Sequence, residues 1–177
     1  MRTGYSHERL VALAENAAFL ILALALSFIE SLIPPAAAVP GAKLGLANLA
    51  VLLCVHRNGL GAGAAVSAAR VILAALLFGS VSSMAFSLGG AVSSLCVLAL
   101  MRPFYGRSFS YIGISVACAA AHNAGQILIA ALWMHESAVL FYLPLLFLTA
   151  VIFGTVTGIL ANTVAAHLPP KGKRSLL

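Results

Sequence analysis

Few residues of this chain can take part in chemistry, and several of those lie inside or beside long apolar stretches. The 177 residues include 10 Lys or Arg, 4 acidic residues that are all Glu, and 5 His. A charged side chain near the centre of a bilayer costs about 2.5–3.5 kcal/mol and usually marks a functional site. We therefore predict that one substrate-binding site is formed by Glu30, Lys43, Asn48, Arg70, His122, Asn123 and Gln126.

The chemistry available to this set is binding rather than catalysis. The sequence has no GxxxxGK[ST] phosphate loop, which argues against an ATPase. It contains no aspartate, and Asp clusters hold the magnesium ions of trans-type prenyl-diphosphate synthesis. Glu30 is the one carboxylate placed for acid–base work, and Cys54, Cys96 and Cys118 are scattered singly, as packing residues are. We expect no cofactor, no metal ion and no enzymatic activity.

The composition places these residues in a membrane. Hydrophobic residues make up 62% of the chain and charged residues 8%, and the mean hydropathy is +1.07. Because a soluble domain carries about 25% charged residues, this chain has too little polar surface to wet a globule. Disorder, a basic nucleic-acid-binding domain and an ordinary cytosolic enzyme are therefore excluded.

Six apolar runs predict an all-α integral membrane protein, a compact bundle of about six transmembrane helices without strand periodicity. They are Leu10–Ile33, Leu44–Val55, about Leu60–Phe78, about Met84–Met101, Tyr111–Met134 and about Leu140–Ala165. A span needs about 20 apolar residues, and the second run covers only about 18 Å. That run must tilt against its neighbours, extend at its start or be partly re-entrant.

The basic residues predict the topology, since Lys and Arg stay in the cytoplasm. With six spans, one side of the membrane holds Arg2, Arg9, Arg57, Arg102, Arg107, Lys171, Lys173 and Arg174. Both termini are then cytoplasmic, in a single transmembrane domain over residues 1–177 with a polar tail at 1–9 and a basic tail at 166–177. The expected location is the inner (cytoplasmic) membrane. Glu15 is expected at the cytoplasmic interface, in water or paired with Arg9 or Arg57.

In this orientation the polar set lies between the midplane and the outer face, as a pocket open to the outside requires. His122 and Gln126 are one helical turn apart and share a face, with Asn123 flanking them. Two alternatives stay open. Arg70 can form a structural ion pair with Glu30, and His122 can be a hydrogen-bonded packing residue.

Small residues spaced four apart are a further feature, because they let helices approach closely in lipid. The clearest pairs are Ala14 with Ala18 and Gly154 with Gly158. They indicate packing inside the bundle or, for the alanines of the first span, docking of a partner membrane protein.

Four segments resemble a known family: PGAKLGLAN at 40–48, AARVILAALLFG at 68–79, FSLGGAVSS at 86–94 and HNAGQ at 122–126. They resemble the Gx transporter family, which is also labelled heptaprenyl diphosphate synthase component I, over roughly residues 10–165. That family is similar to the substrate-binding S components of energy-coupling factor (ECF) transporters. The resemblance implies six helices, a pocket toward the outside, an alanine-rich first helix that contacts a T component, and partner ATPase subunits.

Three functional hypotheses follow. The first is an S-component-like subunit for uptake of a small vitamin-like or cofactor-precursor molecule. The second is an accessory membrane subunit of a polyprenyl (heptaprenyl) diphosphate synthase, for which Arg57, Arg102 and Arg107 would matter instead of the outer polar set. The third is a structural bundle within a respiratory or electron-transfer complex.

Overall fold

A computed structural model describes residues 2–32, 45–105 and 108–168, which form six α-helices. These are α1 (Arg2–Leu32), α2 (Asn48–Asn58), α3 (Leu60–Phe78), α4 (Val81–Met101), α5 (Tyr111–Met134) and α6 (Leu143–Ala165). Short 3-10 turns, Arg102–Phe104 and Ser137–Tyr142, precede α5 and α6. The predicted helical membrane bundle is confirmed, and every helix except α2 is long and apolar enough to cross a membrane.

The short helix α2 is the most enclosed element of the described bundle. Seven consecutive residues, from Ala50 to His56, are buried, and α2 packs against α1, α3, α5 and α6. A helix that is apolar on all sides is stable only when it is surrounded. Its 11 residues cover about 16 Å, so α2 is a central packing element rather than a lipid-facing span.

The helix boundaries agree with the predicted runs where turn residues are clear, and differ elsewhere. Both α3 and α5 have the predicted limits. Helix α4 begins at Val81, before the predicted start, because the Ser80 hydroxyl accepts a hydrogen bond from the backbone N–H of Ser83 and caps the helix. Helix α6 begins after the predicted start, with Pro144 in its first turn. Helix α1 already begins at Arg2, so the segment predicted as a tail at 1–9 is helical from there.

Small residues bring the later helices into backbone contact. A methyl group on Gly154 would lie 2.7 Å from Cα of Val116, and one on Gly158 would lie 2.6 Å from Cα of Ile112. Both glycines therefore serve the α5–α6 contact, which is the internal-packing interpretation of this pair. Ala14 and Ala18, by contrast, are exposed on α1, so their docking role stays a prediction.

The outer surface of the bundle is apolar, as lipid contact requires. Ile21, Leu76 and Phe141 expose 67%, 76% and 87% of their surface. Apolar patches of this extent are rare on soluble monomers. Five of the polar residues that the sequence singled out are buried inside this apolar shell: Glu30, Arg70, His122, Asn123 and Gln126.

One end of the bundle, which we call the His56 end, is formed by His56, Tyr111, Leu168 and their neighbours. It joins the C-terminal end of α2 to the start of α5 and to the chain just after α6. An ion pair between Arg57 and Glu15, at 3.2 Å, adds the early part of α1. The segments predicted to be cytoplasmic thus meet at one end as far as they are described, and that this end faces the cytoplasm stays a prediction. Glu15 pairs with Arg57, one of its two predicted partners.

Candidate functional site

Arg70 is the centre of the candidate site. It lies midway along α3 and exposes 2% of its surface. Its Nη1 donates a hydrogen bond of 3.3 Å to the hydroxyl of Ser27, a fully buried residue of α1. The other two guanidinium nitrogens, Nε and Nη2, are also buried and have no hydrogen-bond partner within the described chain. Burying a charge without partners costs several kcal/mol, so this arrangement needs an explanation beyond helix packing.

Glu30 lies one turn after Ser27 on the same face of α1 and is also buried. Its carboxylate accepts a hydrogen bond from the backbone N–H of Gly45, just before α2. Glu30 also attracts the Arg70 charge electrostatically, but within the described chain Arg70 donates to Ser27 rather than to Glu30. No direct ion pair joins Arg70 and Glu30 within the described chain, although the charge of Glu30 acts on Arg70.

His122 and Gln126 lie together on the face of α5 that meets α4, as their spacing predicts. Both are buried, and both touch Gly90. A methyl group on Gly90 would come within 2.9 Å of the His122 Nε2 and 2.8 Å of the Gln126 Cγ. Glycine at position 90 is thus what allows the imidazole and the amide to reach the α4 backbone.

Asn123 faces another direction. Its Nδ2 donates a hydrogen bond of 2.8 Å to the backbone carbonyl of Leu146, in the first turn of α6. The same carbonyl accepts a hydrogen bond from the Thr149 hydroxyl at 2.8 Å. Asn123 therefore ties α5 to α6, and it flanks His122 without sharing the surface against α4.

Asn48 lines a small, mostly apolar cavity between α2, α4, α5 and α6. The cavity has a volume of about 20 Å³, room for about one water molecule. Its polar wall comes from Asn48, Ser94, Ser115, Cys118 and Thr157. The hydroxyls of Ser115 and Thr157 are hydrogen-bonded at 2.8 Å, whereas Nδ2 of Asn48 is buried without a partner within the described chain.

Gly45 connects this cavity to the Arg70 region. It lines the cavity beside Asn48, and its N–H donates the hydrogen bond that the Glu30 carboxylate accepts. A φ of +83° at this position suits glycine, and the position of a Cβ there would lie 3.4 Å from Nδ2 of Asn48. The predicted residues Arg70, Glu30 and Asn48 thus belong to one connected polar region, which we call the Arg70 site.

Lys43, the remaining predicted member, falls outside the described residues. Within the described chain no group of three His, Cys, Asp or Glu side chains is placed to hold a metal ion. The Arg70 site offers one guanidinium edge, an amide donor and a single carboxylate. Such a set can bind a polar or anionic molecule.

The sequence interpretation missed the network at the His56 end. The carbonyl of Leu168 accepts a hydrogen bond of 2.9 Å from Nε2 of His56, so Nδ1 is the acceptor for the hydroxyl of Tyr111. The rings of Tyr105 and Tyr111 pack with centroids 4.3 Å apart. A cavity of about 160 Å³ lies beside them and reaches Asn162. The sequence did contain a signal for this network, because His56 directly follows an apolar run. In the sequence, however, His56 begins a pattern typical of a turn.

Comparison with known proteins gives one result. The family described as heptaprenyl diphosphate synthase component I matches residues 19–164. No curated protein and no solved structure matches the chain. Since the match spans α2 to α5 completely, all but the last residue of α6 and the latter part of α1, the chain belongs to the heptaprenyl diphosphate synthase component I family.

Proposed function

We propose that this member of the heptaprenyl diphosphate synthase component I family is a non-catalytic membrane subunit that assists a heptaprenyl diphosphate synthase. The observation that carries the proposal is the family match over residues 19–164. The absence of aspartate from the sequence supports an accessory role, because catalysis would have to come from another subunit. An apolar bundle would hold that subunit at the membrane, where a long prenyl product is soluble.

The surface for such a partner is the basic His56 end. Arg57 and Arg102 lie there within the described chain, and Arg107 is between described segments. A cytosolic subunit with an acidic patch would be attracted to this end, because opposite charges steer docking. The Arg70 site, enclosed within the bundle, would not take part in this contact.

The test is whether heptaprenyl diphosphate synthesis follows the protein. We expect the tagged chain, purified from its native membrane in mild detergent, to carry synthase activity, measured as incorporation of labelled isopentenyl diphosphate. Arg102→Gln should reduce the co-purified activity, whereas His135→Asn, at the C-terminal end of α5 and outside both polar regions, should leave it unaltered. Activity that stays wholly in the soluble fraction, with or without this protein, would contradict the proposal.

A second candidate function is favoured by the Arg70 site itself. An S-component-like subunit for uptake of a small vitamin-like molecule, working with a T component and ATPase subunits, needs a polar pocket inside a membrane bundle. The burial of Arg70 and Glu30, and the link from Glu30 through Gly45 to the cavity beside Asn48, support this function. The exposed alanine face at Ala14 and Ala18 would then be the docking surface for the T component.

Native mass spectrometry of the detergent-purified protein tests this second candidate. We expect a small molecule to co-purify and to be lost from both Arg70→Ala and His122→Ala. His56→Gln, a change at the His56 end that can keep both hydrogen bonds, should retain it. Retention in both site variants, or a wild-type protein that never carries a small molecule, would count against uptake without affecting the synthase test.

A further inference from the structure

Only part of the Arg70 guanidinium forms a hydrogen bond within the described chain, and the remaining edge has a defined geometry. Nη1 is engaged by Ser27, while Nε and Nη2 have no partner within the described chain. Nε–H and the outward N–H of Nη2 point the same way, along one edge of the planar group. Two parallel donors on one edge are the arrangement that binds both oxygens of a carboxylate or phosphate.

No other group in the described site accepts a hydrogen bond from this edge. Ser27 supplies one neutral acceptor to the opposite side of the guanidinium. Glu30, the nearest opposite charge, directs a carboxylate oxygen to the N–H of Gly45. The edge is nevertheless enclosed, since Arg70 exposes only 2% of its surface. A buried charge whose donors lack acceptors is strongly destabilising unless another group supplies those acceptors.

A second unsatisfied group in the same region has the same polarity. Nδ2 of Asn48 is a buried donor without a partner within the described chain, and it lies next to Gly45. Both unmatched groups therefore require acceptors. A molecule that satisfies them must present an anionic pair of oxygens to Arg70 and a further acceptor toward Asn48.

We infer that the Arg70 site binds an oxyanion, a carboxylate or phosphate group, side-on through Nε–H and Nη2–H of Arg70. The Asn48 amide donates to a second acceptor of the same ligand. This inference goes beyond both proposed functions, because it names the chemical class of the ligand and holds for an accessory subunit and for an uptake subunit alike. Arginine rather than lysine is required, since an ammonium group has no planar pair of donors.

The test uses the full chain in lipid nanodiscs with three probes: inorganic phosphate, inorganic diphosphate and octanoate. Binding is measured by calorimetry, and the 15N–1H resonance of Arg70 Nε reports whether the guanidinium edge is engaged. We expect at least one probe to bind and to shift that resonance. Diphosphate or phosphate binding alone assigns the ligand to the phosphate class, and octanoate binding alone assigns it to the carboxylates.

Variants then separate recognition from folding. Arg70→Lys keeps the charge but loses the paired donors, so affinity should fall by roughly 30-fold, the effect of losing one charged hydrogen bond. Arg57→Lys, a matched change at the His56 end, should bind like the wild type. If Arg70→Lys does not fold, the wild-type Nε resonance still decides. Unchanged affinity in folded Arg70→Lys, or no shift of the Nε resonance with any probe, would overturn the inference.

Discussion

The two polar regions of this bundle, the His56 end and the Arg70 site, are buried to a similar degree but are completed differently. His56 uses both ring nitrogens, one toward Leu168 and one toward Tyr111. Within the described residues, Arg70 uses one of its three guanidinium nitrogens. A buried network in which every polar group has a hydrogen-bond partner holds helices together. A network in which some donors lack partners leaves those donors available to a ligand. The difference agrees with a structural role for the first region, and a binding role for the second is our proposal.

The largest expected effect comes from glycine-to-alanine substitution at two contrasting positions, one at the α4–α5 contact and one near the His56 end. Gly90→Ala would push a methyl group to within 2.9 Å of His122 and Gln126, so we expect the free energy of unfolding to fall by about 2 kcal/mol. Gly61→Ala, near the His56 end, meets nothing within 4 Å. It should raise the free energy of unfolding by up to about 1 kcal/mol through helix propensity.

Equilibrium unfolding in mixed detergent micelles checks the glycine pair, and the ligand assay above checks whether Gly90→Ala also weakens binding. Equal effects of the two substitutions would show that the α4–α5 contact is not as tight as the geometry implies. In that case Gly90 would lose its role in positioning His122 and Gln126.

An asparagine pair gives a smaller but more direct contrast. Asn48→Leu removes a buried donor that has no partner among the described residues, so we expect the free energy of unfolding to rise by about 1 kcal/mol. Asn58→Leu removes the hydrogen bond of 2.8 Å to Asn16, and we expect a loss of about 1 kcal/mol. The same micelle assay measures both. Destabilisation by both substitutions would mean that Asn48 is already satisfied, for instance by water, and would weaken the comparison.

The smallest expected effect is a pH dependence at the His56 end. Burial lowers the pKa of His56 below its ordinary value of 6.5; the Leu168 carbonyl opposes this shift, and the neighbouring Arg57 charge adds to it. Because the unfolded chain then binds more protons, the stability from neutral His56 is complete above about pH 7 and is lost as pH falls below 6.5 toward the folded pKa. Protonation would also remove the acceptor for the Tyr111 hydroxyl.

This effect is tested by measuring the unfolding of the wild type and of His56→Gln between about pH 7.5 and pH 5, the range in which histidine titrates. Glutamine can still donate to Leu168 and accept from Tyr111, but it does not titrate. We expect the wild type to lose stability relative to the variant as pH falls. Parallel pH profiles would show that the His56 network does not depend on the neutral ring.

The sequence predicted the family more reliably than it ranked the functional hypotheses. The four matching segments indicated the component I family, which the match over residues 19–164 confirms. The lack of aspartate placed uptake ahead of an accessory role in the sequence interpretation, while the family description favours the accessory subunit. Sequence pattern identifies a family because the pattern is shared, but it does not show which partner the bundle serves.

The sequence by itself determined the membrane bundle, its helix limits at α3 and α5, and the burial of Glu30, Arg70, His122, Asn123 and Gln126. These follow from local properties, namely apolar length, turn residues and the cost of burying charge. Only the tertiary structure decided that Asn123 ties α5 to α6 while His122 and Gln126 face Gly90, and that Arg70 meets Ser27 instead of Glu30. Those outcomes depend on how each helix is rotated against neighbours distant in sequence, and spacing along one helix does not specify that rotation.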